Sequence, residues 1–116
     1  MTKIYGIPNC DTVKKARAWL TEQGVEHEFH DFKKQGVPQE RLTHWVAHVG
    51  LEKLVNRKGT TWRKLDAAVQ AGLTDEASAH ALLTQHASVI KRPVVEWSNG
   101  NVTVGFAPDE WDGWVG

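Results

Sequence analysis

Between Lys3 and Asp31 the hydrophobic period changes twice, and this limits the folds open to the chain. "KIYGI", Lys3 to Ile7, is a short β-prone run that ends at Pro8-Asn9. Val13, Ala16 and Leu20 then recur at i, i+3 and i+7, while Lys14, Lys15 and Arg17 point elsewhere. That spacing predicts an amphipathic helix stopping near Gly24. "VEHEFHDF" alternates again, with Val25, His27, Phe29 and Asp31 set against polar or charged neighbours. A strand, a helix and a second strand within about 30 residues make a βαβ unit, so the first two strands are expected to be parallel.

The middle of the chain reads as helical. After Gly36-Val37-Pro38, Leu42, Trp45, Val46 and Val49 form one apolar stripe, and Gly50 ends it. Leu51, Leu54 and Val55 suggest a short further turn. "NRKGTTWRKL" interrupts the pattern, and Thr74-Asp75 opens another helix with Ala79, Leu82 and Leu83 on its apolar side. The period then shortens: "RPVVEW", "SNG" and "NVTVGF" read as strand, turn and strand. Asn99-Gly100 is the hairpin signal, because both residues tolerate positive φ. Pro108 to Val115 predicts a last short helix with Trp111, Trp114 and Val115 on its inner side. The sum is β-α-β, a helical insert, then β-β-α. This predicts an α/β fold with a four-stranded mixed sheet in one domain spanning residues 1–116, and a thioredoxin-like arrangement is the simplest closure.

The 14 acidic and 14 basic side chains among 116 residues cancel. Nucleic acid is therefore not an expected partner, since duplex binding needs a basic face. One cysteine excludes an internal disulfide and a four-thiolate zinc site. A free thiol fits a reducing compartment. "MTKIYGI" shows no apolar h-region, and no apolar run approaches the ~20 residues that span a bilayer. A soluble, cytoplasmic, monomeric protein without membrane association is the expectation.

The single cysteine, Cys10, lies between the first strand and the first helix. Three roles compete for it. Free cysteine is commonly a small buried hydrophobe. A dithiol motif would need a second cysteine where "CDTV" has Val13, so any redox cycle requires an outside thiol. The third role is a single-thiol nucleophile. The carboxyl ends of strands in α/β proteins are where ligands bind. The unpaired N–H groups of Thr12 and Val13, the helix dipole and the nearby lysines all favour thiolate there, with Asp11 opposing. A nucleophile of this kind needs anion-binding help. The candidates are Arg92 in "IKRPVV", where the bond to Pro93 is a place to expect a cis peptide, and Arg57 in "NRKGTT". Each arginine also has a plain reading as a solvated surface group.

These stretches resemble the ArsC/Spx family of arsenate reductase-like proteins, in particular its YffB branch. The resemblance rests on "YGIPNCDTVKKARAWL", "FHDFKKQGV", "NRKGTTWRKLD", "IKRPVVE" and "VGFAPDEW", which run from Tyr5 to Trp111. It implies a thioredoxin-like core with a helical insert, a cis proline at Pro93 and catalysis by Cys10. Arg57 and Arg92 match two of the three arginines that surround the oxyanion in the family's arsenate reductases. The third has no counterpart, with Gly105 at about that point. The residues after the thiol are Asp11-Thr12 where those reductases have Gly-Thr-Ser. Spx-type regulators usually carry C-x-x-C, which Val13 removes. The resemblance therefore implies a glutathione-dependent thiol reductase working by mixed-disulfide chemistry. Cys10 is the catalytic thiol in this reading. Arg57, Arg92, Thr12 and Lys14 form the anion-binding set, and Lys15 adds positive potential. Pro93 is structural, no cofactor is tightly bound, and glutathione is the co-substrate. The alternative is a Spx-like module that binds a protein partner and senses redox state without turnover.

Six histidines raise the question of a metal. His44 and His48 in "HWVAH" have i, i+4 spacing, but the glutamate of H-E-x-x-H is missing. Solvated or packed histidines are expected, and no metal. His27 and His30 fall on opposite strand faces, and His80 and His86 have no partner that the sequence identifies. Of the six tryptophans, Trp62 stands beside Arg57 and Arg63 in an irregular segment and is expected to pack the insert, with a cleft wall as the alternative.

Overall fold

The computed structural model describes residues 2–115, and of residues 113–115 the backbone alone. The chain divides into two compact units, 1–35 with 92–116 and, inserted between them, 36–91.

The first unit is built on β1 (Thr2–Gly6), α1 (Asp11–Glu22), β2 (His27–Asp31), the single turn α2 (Phe32–Gln35), β3 (Val94–Glu96), β4 (Val102–Val104) and α8 (Pro108–Val115). The four strands form one sheet in the order β2-β1-β3-β4. β1 and β2 are parallel, as the βαβ spacing requires, with Ile4 beside Phe29. β3 runs antiparallel to both β1 and β4. Ile4 and its register partner Val95 point to one face, where they join Ala16 and Leu20 of α1, Trp97, and Trp111 of α8 in a buried cluster. The rings of Trp19, Trp97 and Phe106 meet Trp111 edge-on, with centroids 5.6, 5.1 and 5.1 Å away. Aromatic rings favour this geometry because it sets a positive edge against a negative face. Trp111 thus takes the inner position expected of it, while the side chains of Trp114 and Val115 lie outside the described residues.

The opposite face is more polar. Tyr5 donates its hydroxyl hydrogen bond to Glu96 Oε1 at 2.7 Å. Its ring lies 5.0 Å from His30 and 6.3 Å from Phe32.

The hairpin differs in detail from the expectation. Within the turn only Gly100 takes positive φ, at 93°, and Asn99 does not. Gly100 N–H donates to the Trp97 carbonyl, and Trp97 N–H donates to Asn101 O. The loop is therefore three residues long, Ser98 to Gly100, with glycine in the left-handed position that closes such loops. Asn99 stays on the ordinary side of φ and uses its side chain instead, accepting from Asn101 N–H at 3.0 Å.

The second unit holds α3 (Gln39–Val49), α4 (Leu51–Leu54), α5 (Thr60–Lys64), α6 (Ala67–Ala71), α7 (Glu76–Gln85) and a 3-10 turn, Ala87–Val89. Leu42, Trp45, Leu54, Ala79, Leu83, Val89 and Ile90 are fully buried. Val46 and Val49, read as part of the α3 stripe, are only half-buried at its margin. A bridge between Val55 and Ile90 closes the unit, backed by Asn56 N–H to Val89 O and Lys91 N–H to Leu54 O, both at 2.7 Å. Asp75 caps α7: its carboxylate accepts from Ser78 N–H at 2.8 Å while Ser78 Oγ accepts from Asp75 N–H. Each partner satisfies a donor that the helix leaves open.

Candidate active site

Cys10 occupies the cap position in front of α1, at the carboxyl end of the central strand β1. Its own N–H donates to Ile7 O at 3.2 Å, and its carbonyl accepts from Lys14 N–H at 3.0 Å. The backbone that carries the thiol is thereby tied to the strand end behind it and to the helix ahead. The side chain is half-exposed rather than buried, which sets aside the reading as a core hydrophobe.

One sequence expectation is corrected here. The thiol makes no capping hydrogen bond with the first turn of α1, so the N–H groups of Thr12 and Val13 do not hold it. Sulfur is a weak acceptor compared with the side-chain oxygens that normally cap helices. What remains of the favourable field is the open end of a 12-residue helix, whose dipole puts partial positive charge at this position. Asp11 follows directly, in the first turn.

Thr12, Lys14 and Lys15 are exposed, and Val13 is fully buried. Arg17 is committed to packing: its guanidinium carbon lies 4.1 Å above the centre of the Phe29 ring, a favourable cation–π placement. Gly6, the last residue of β1, gives the close approach that brings α1 onto the sheet. A Cβ there would stand 2.8 Å from Val13 Cγ2. Sequence reading passed over this glycine, whose signal is steric and needs the packed partner to be seen.

The Arg92–Pro93 peptide is cis, as the "KRP" stretch suggested. Tyr5 pairs with Val94 in the antiparallel register, so one step further sets Pro93 beside Gly6. The Arg92–Pro93 bond and the loop carrying Cys10 thus share one end of the sheet, on neighbouring strands. Pro93 is buried, and its carbonyl accepts from Gly105 N–H at 2.9 Å. Arg92 is half-buried, with Nε enclosed. Gly105 has φ of 81°. A side chain there would be strained, so the backbone itself favours glycine at this position.

Arg57 belongs to the second unit. Its Nη2 lies 3.2 Å from Glu52 Oε1, and its guanidinium carbon lies 5.5 Å from the Trp62 ring centre. Both Arg57 and Glu52 are open to water, so the pair adds little stability. Trp62 is half-buried, and its carbonyl accepts from Gln70 Nε2 at 2.7 Å, which fits its role in packing the insert. His80 has the partner that the sequence did not identify: its Nε2 lies 3.1 Å from Thr43 Oγ1. A hollow of ≈ 280 Å³ lies on the polar side of the sheet, lined by Lys3, Tyr5, Glu28, Phe29, His30 and Gln35. It contains none of the expected site residues, so depth of cavity and placement of the thiol point to different parts of the sheet.

The sequence profile of the ArsC family matches residues 5–114, nearly the whole chain. The chain belongs to the ArsC family. A solved structure called YffB protein superposes on this ArsC chain with a TM-score of 0.93 at 46% identity, covering 100% of both chains. A Brucella melitensis solution structure, described as an arsenate reductase related protein, reaches a TM-score of 0.73 at 45% identity, covering 97% of this chain and 92% of the other. An uncharacterized protein of Haemophilus influenzae is 40% identical over 96% of each chain. The ArsC family includes arsenate reductases, and the thioredoxin-like core with its four-stranded mixed sheet is shared with these relatives. No helix among the described residues is long and apolar enough to cross a membrane.

Proposed function

We propose that this ArsC-family chain is a glutathione-dependent thiol reductase that works through Cys10 alone. The observation that carries the reading is the position of the half-exposed Cys10, capping α1 at the same sheet end as the cis Arg92–Pro93 bond. In the first step the Cys10 thiolate attacks the glutathione sulfur of a glutathionylated substrate. A Cys10–glutathione disulfide forms, the substrate S–S bond breaks, and the substrate leaves as a thiolate that takes up a proton from water. In the second step the thiolate of a free glutathione attacks the glutathione sulfur of that disulfide. Glutathione disulfide leaves and the Cys10 thiolate returns. The sulfur of the free glutathione is oxidised and the substrate sulfur is reduced, while the glutathione sulfur taken from the substrate stays at the disulfide level throughout.

Arg92 holds a carboxylate of glutathione through its forked donors. Thr12 and Lys14, both exposed in the first turn of α1, supply a hydroxyl and a positive charge to the same anion. Pro93 shapes the approach to the thiol. No tightly bound cofactor is needed, because glutathione carries the electrons. Arsenate is not the substrate in this reading, because Gly105 offers no third guanidinium.

The test is mass spectrometry after exposure to glutathione disulfide, followed by a turnover assay on a glutathionylated peptide. One glutathionyl group on Cys10, and turnover that disappears in Cys10→Ser, support the reading. A Cys10 that never gains glutathione overturns it.

A second reading has its own support. The Streptococcus mutans protein called global transcriptional regulator Spx is 26% identical over 95% of this chain and 80% of its own length. On that reading the chain docks on a protein partner, and modification of Cys10 reports redox state. Cys10→Ser separates the two, since a docking module keeps its partner while an enzyme loses turnover.

A further inference from the structure

We propose that His44 and His48 form a two-imidazole binding site for a borderline divalent transition metal, Cu2+ before Ni2+ or Zn2+. The spacing alone suggested little, and the structure adds three things. First, the two rings are adjacent, with centroids 4.2 Å apart and planes at 45°. A metal bound by two imidazole nitrogens at about 2.0–2.1 Å each needs those nitrogens roughly 3 Å apart, and side-chain rotation on one helix face covers that range. Second, His48 Nδ1 lies 3.2 Å from the His44 carbonyl oxygen. A carbonyl can only accept, so Nδ1 is the donor, and in the neutral ring that leaves the lone pair on Nε2. Metal-bound histidines are commonly held in this way by a bond from the other ring nitrogen. Third, the helix beneath is fixed: Leu42 and Trp45 on the same α3 are fully buried, while His48 is exposed and His44 half-exposed.

The donor set selects the metal. Two neutral imidazoles suit copper, nickel and zinc, and the Irving–Williams order puts Cu2+ first. Mg2+ and Ca2+ want oxygen ligands and are excluded. Among the described residues no group of three or more histidine, cysteine or acidic side chains is placed to hold a metal. Water or a small external ligand therefore fills the remaining positions, and the metal exchanges readily. The site is independent of Cys10 chemistry and does not rest on the function proposed above.

The experiment uses full-length protein carrying Cys10→Ser, so that the thiol neither binds nor reduces Cu2+. CuCl2 is titrated calorimetrically in a weakly coordinating buffer, and the bound copper is examined by electron paramagnetic resonance. One equivalent is expected, with two nitrogen couplings. His44→Ala or His48→Ala should each weaken binding by about tenfold or more, because losing one arm of a chelate removes its effective-concentration advantage. The two changes together should weaken binding little further, and His80→Ala should leave it unchanged. Both histidines are on a helix surface, and circular dichroism confirms that each variant keeps its helices. Binding that is unaltered by either change, or no binding below about 1 mM, overturns the proposal.

Discussion

Gly6 and Val13 approach so closely that a Cβ on the glycine would stand 2.8 Å from one valine methyl and 3.4 Å from the other. Gly6 ends the central strand and Val13 lies in the first turn of α1, with Cys10 between them. The distance between strand and helix is therefore set by the absence of one carbon. Valine is stiff about χ1 and cannot swing away cheaply.

Gly6→Ala should consequently push α1 outward and destabilise the protein by about 1–3 kcal/mol, the usual cost of overpacking. Denaturant melts measure this. The rate of Cys10 alkylation by iodoacetamide should change with it. Adding Val13→Ala should relieve the clash and restore that rate, although the double variant stays less stable because a buried side chain has been trimmed. An alkylation rate unmoved by Gly6→Ala would show that the thiol does not depend on this packing.

Replacing Trp111 by alanine should cost about 3–5 kcal/mol, as for other buried aromatics. Three edge-on ring contacts and the centre of the first unit's core are lost together. Trp111→Phe should cost less, since it keeps an aromatic ring. Thermal unfolding of the two variants checks the order.

Glutathione capture by Cys10 should slow by roughly tenfold or more in Arg92→Ala, the effect of losing one charge-assisted hydrogen bond. Alkylation by neutral iodoacetamide should change much less, because that reagent has no carboxylate to hold. Stopped-flow mixing with each reagent compares the two. Equal slowing would assign Arg92 to the state of the thiol and not to its partner.

Hydrogen bonds from the Ser78 backbone and then from its side chain hold the Asp75 carboxyl below its usual value of 3.8. The sign follows from linkage. A group with a depressed folded value favours the folded state once ionised, so its contribution is present above the unfolded value. It is lost as pH falls through the folded one. Circular dichroism of α7 fragments would be ambiguous, so full-length melts at a series of acidic pH values are the measurement. Wild type should lose part of its stability across that range that Asp75→Asn does not lose. Identical pH profiles would exclude the cap.

Arsenate should not be reduced in an assay containing glutathione as the thiol donor. Gly105 holds φ of 81° and binds the Pro93 carbonyl through its N–H. Gly105→Arg should therefore strain the turn and lower the melting temperature without creating reductase activity. A variant that folds well and reduces arsenate would reverse this conclusion.

The elements that could be read from sequence are those that bury a periodic face. Val13, Ala16 and Leu20 announced α1, and all three are fully buried. Leu42 and Trp45 did the same for α3. The short helices α5 and α6 went unread because neither buries a single residue, so there is no stripe to find. α2 is one turn long and leaves no period at all. At the site, the type and position of Cys10, Arg92 and Pro93 were legible from chemistry and from the residue before proline. The orientation of the thiol was not, because a weak acceptor does not have to take the helix amides. The steric need for Gly6 depends on a neighbour seven residues away meeting it in space.

The insertion of residues 36–91 into the sheet-forming unit has a consequence for synthesis. β1 and β2 leave the ribosome early and lie side by side in the chain. β3, which Tyr5 must meet through Val94, emerges only after the whole insert has been made. The nascent chain therefore carries β1 with one side open until β3 has been made. Vectorial translation thus leaves the pairing of β1 with β3 to the end of synthesis.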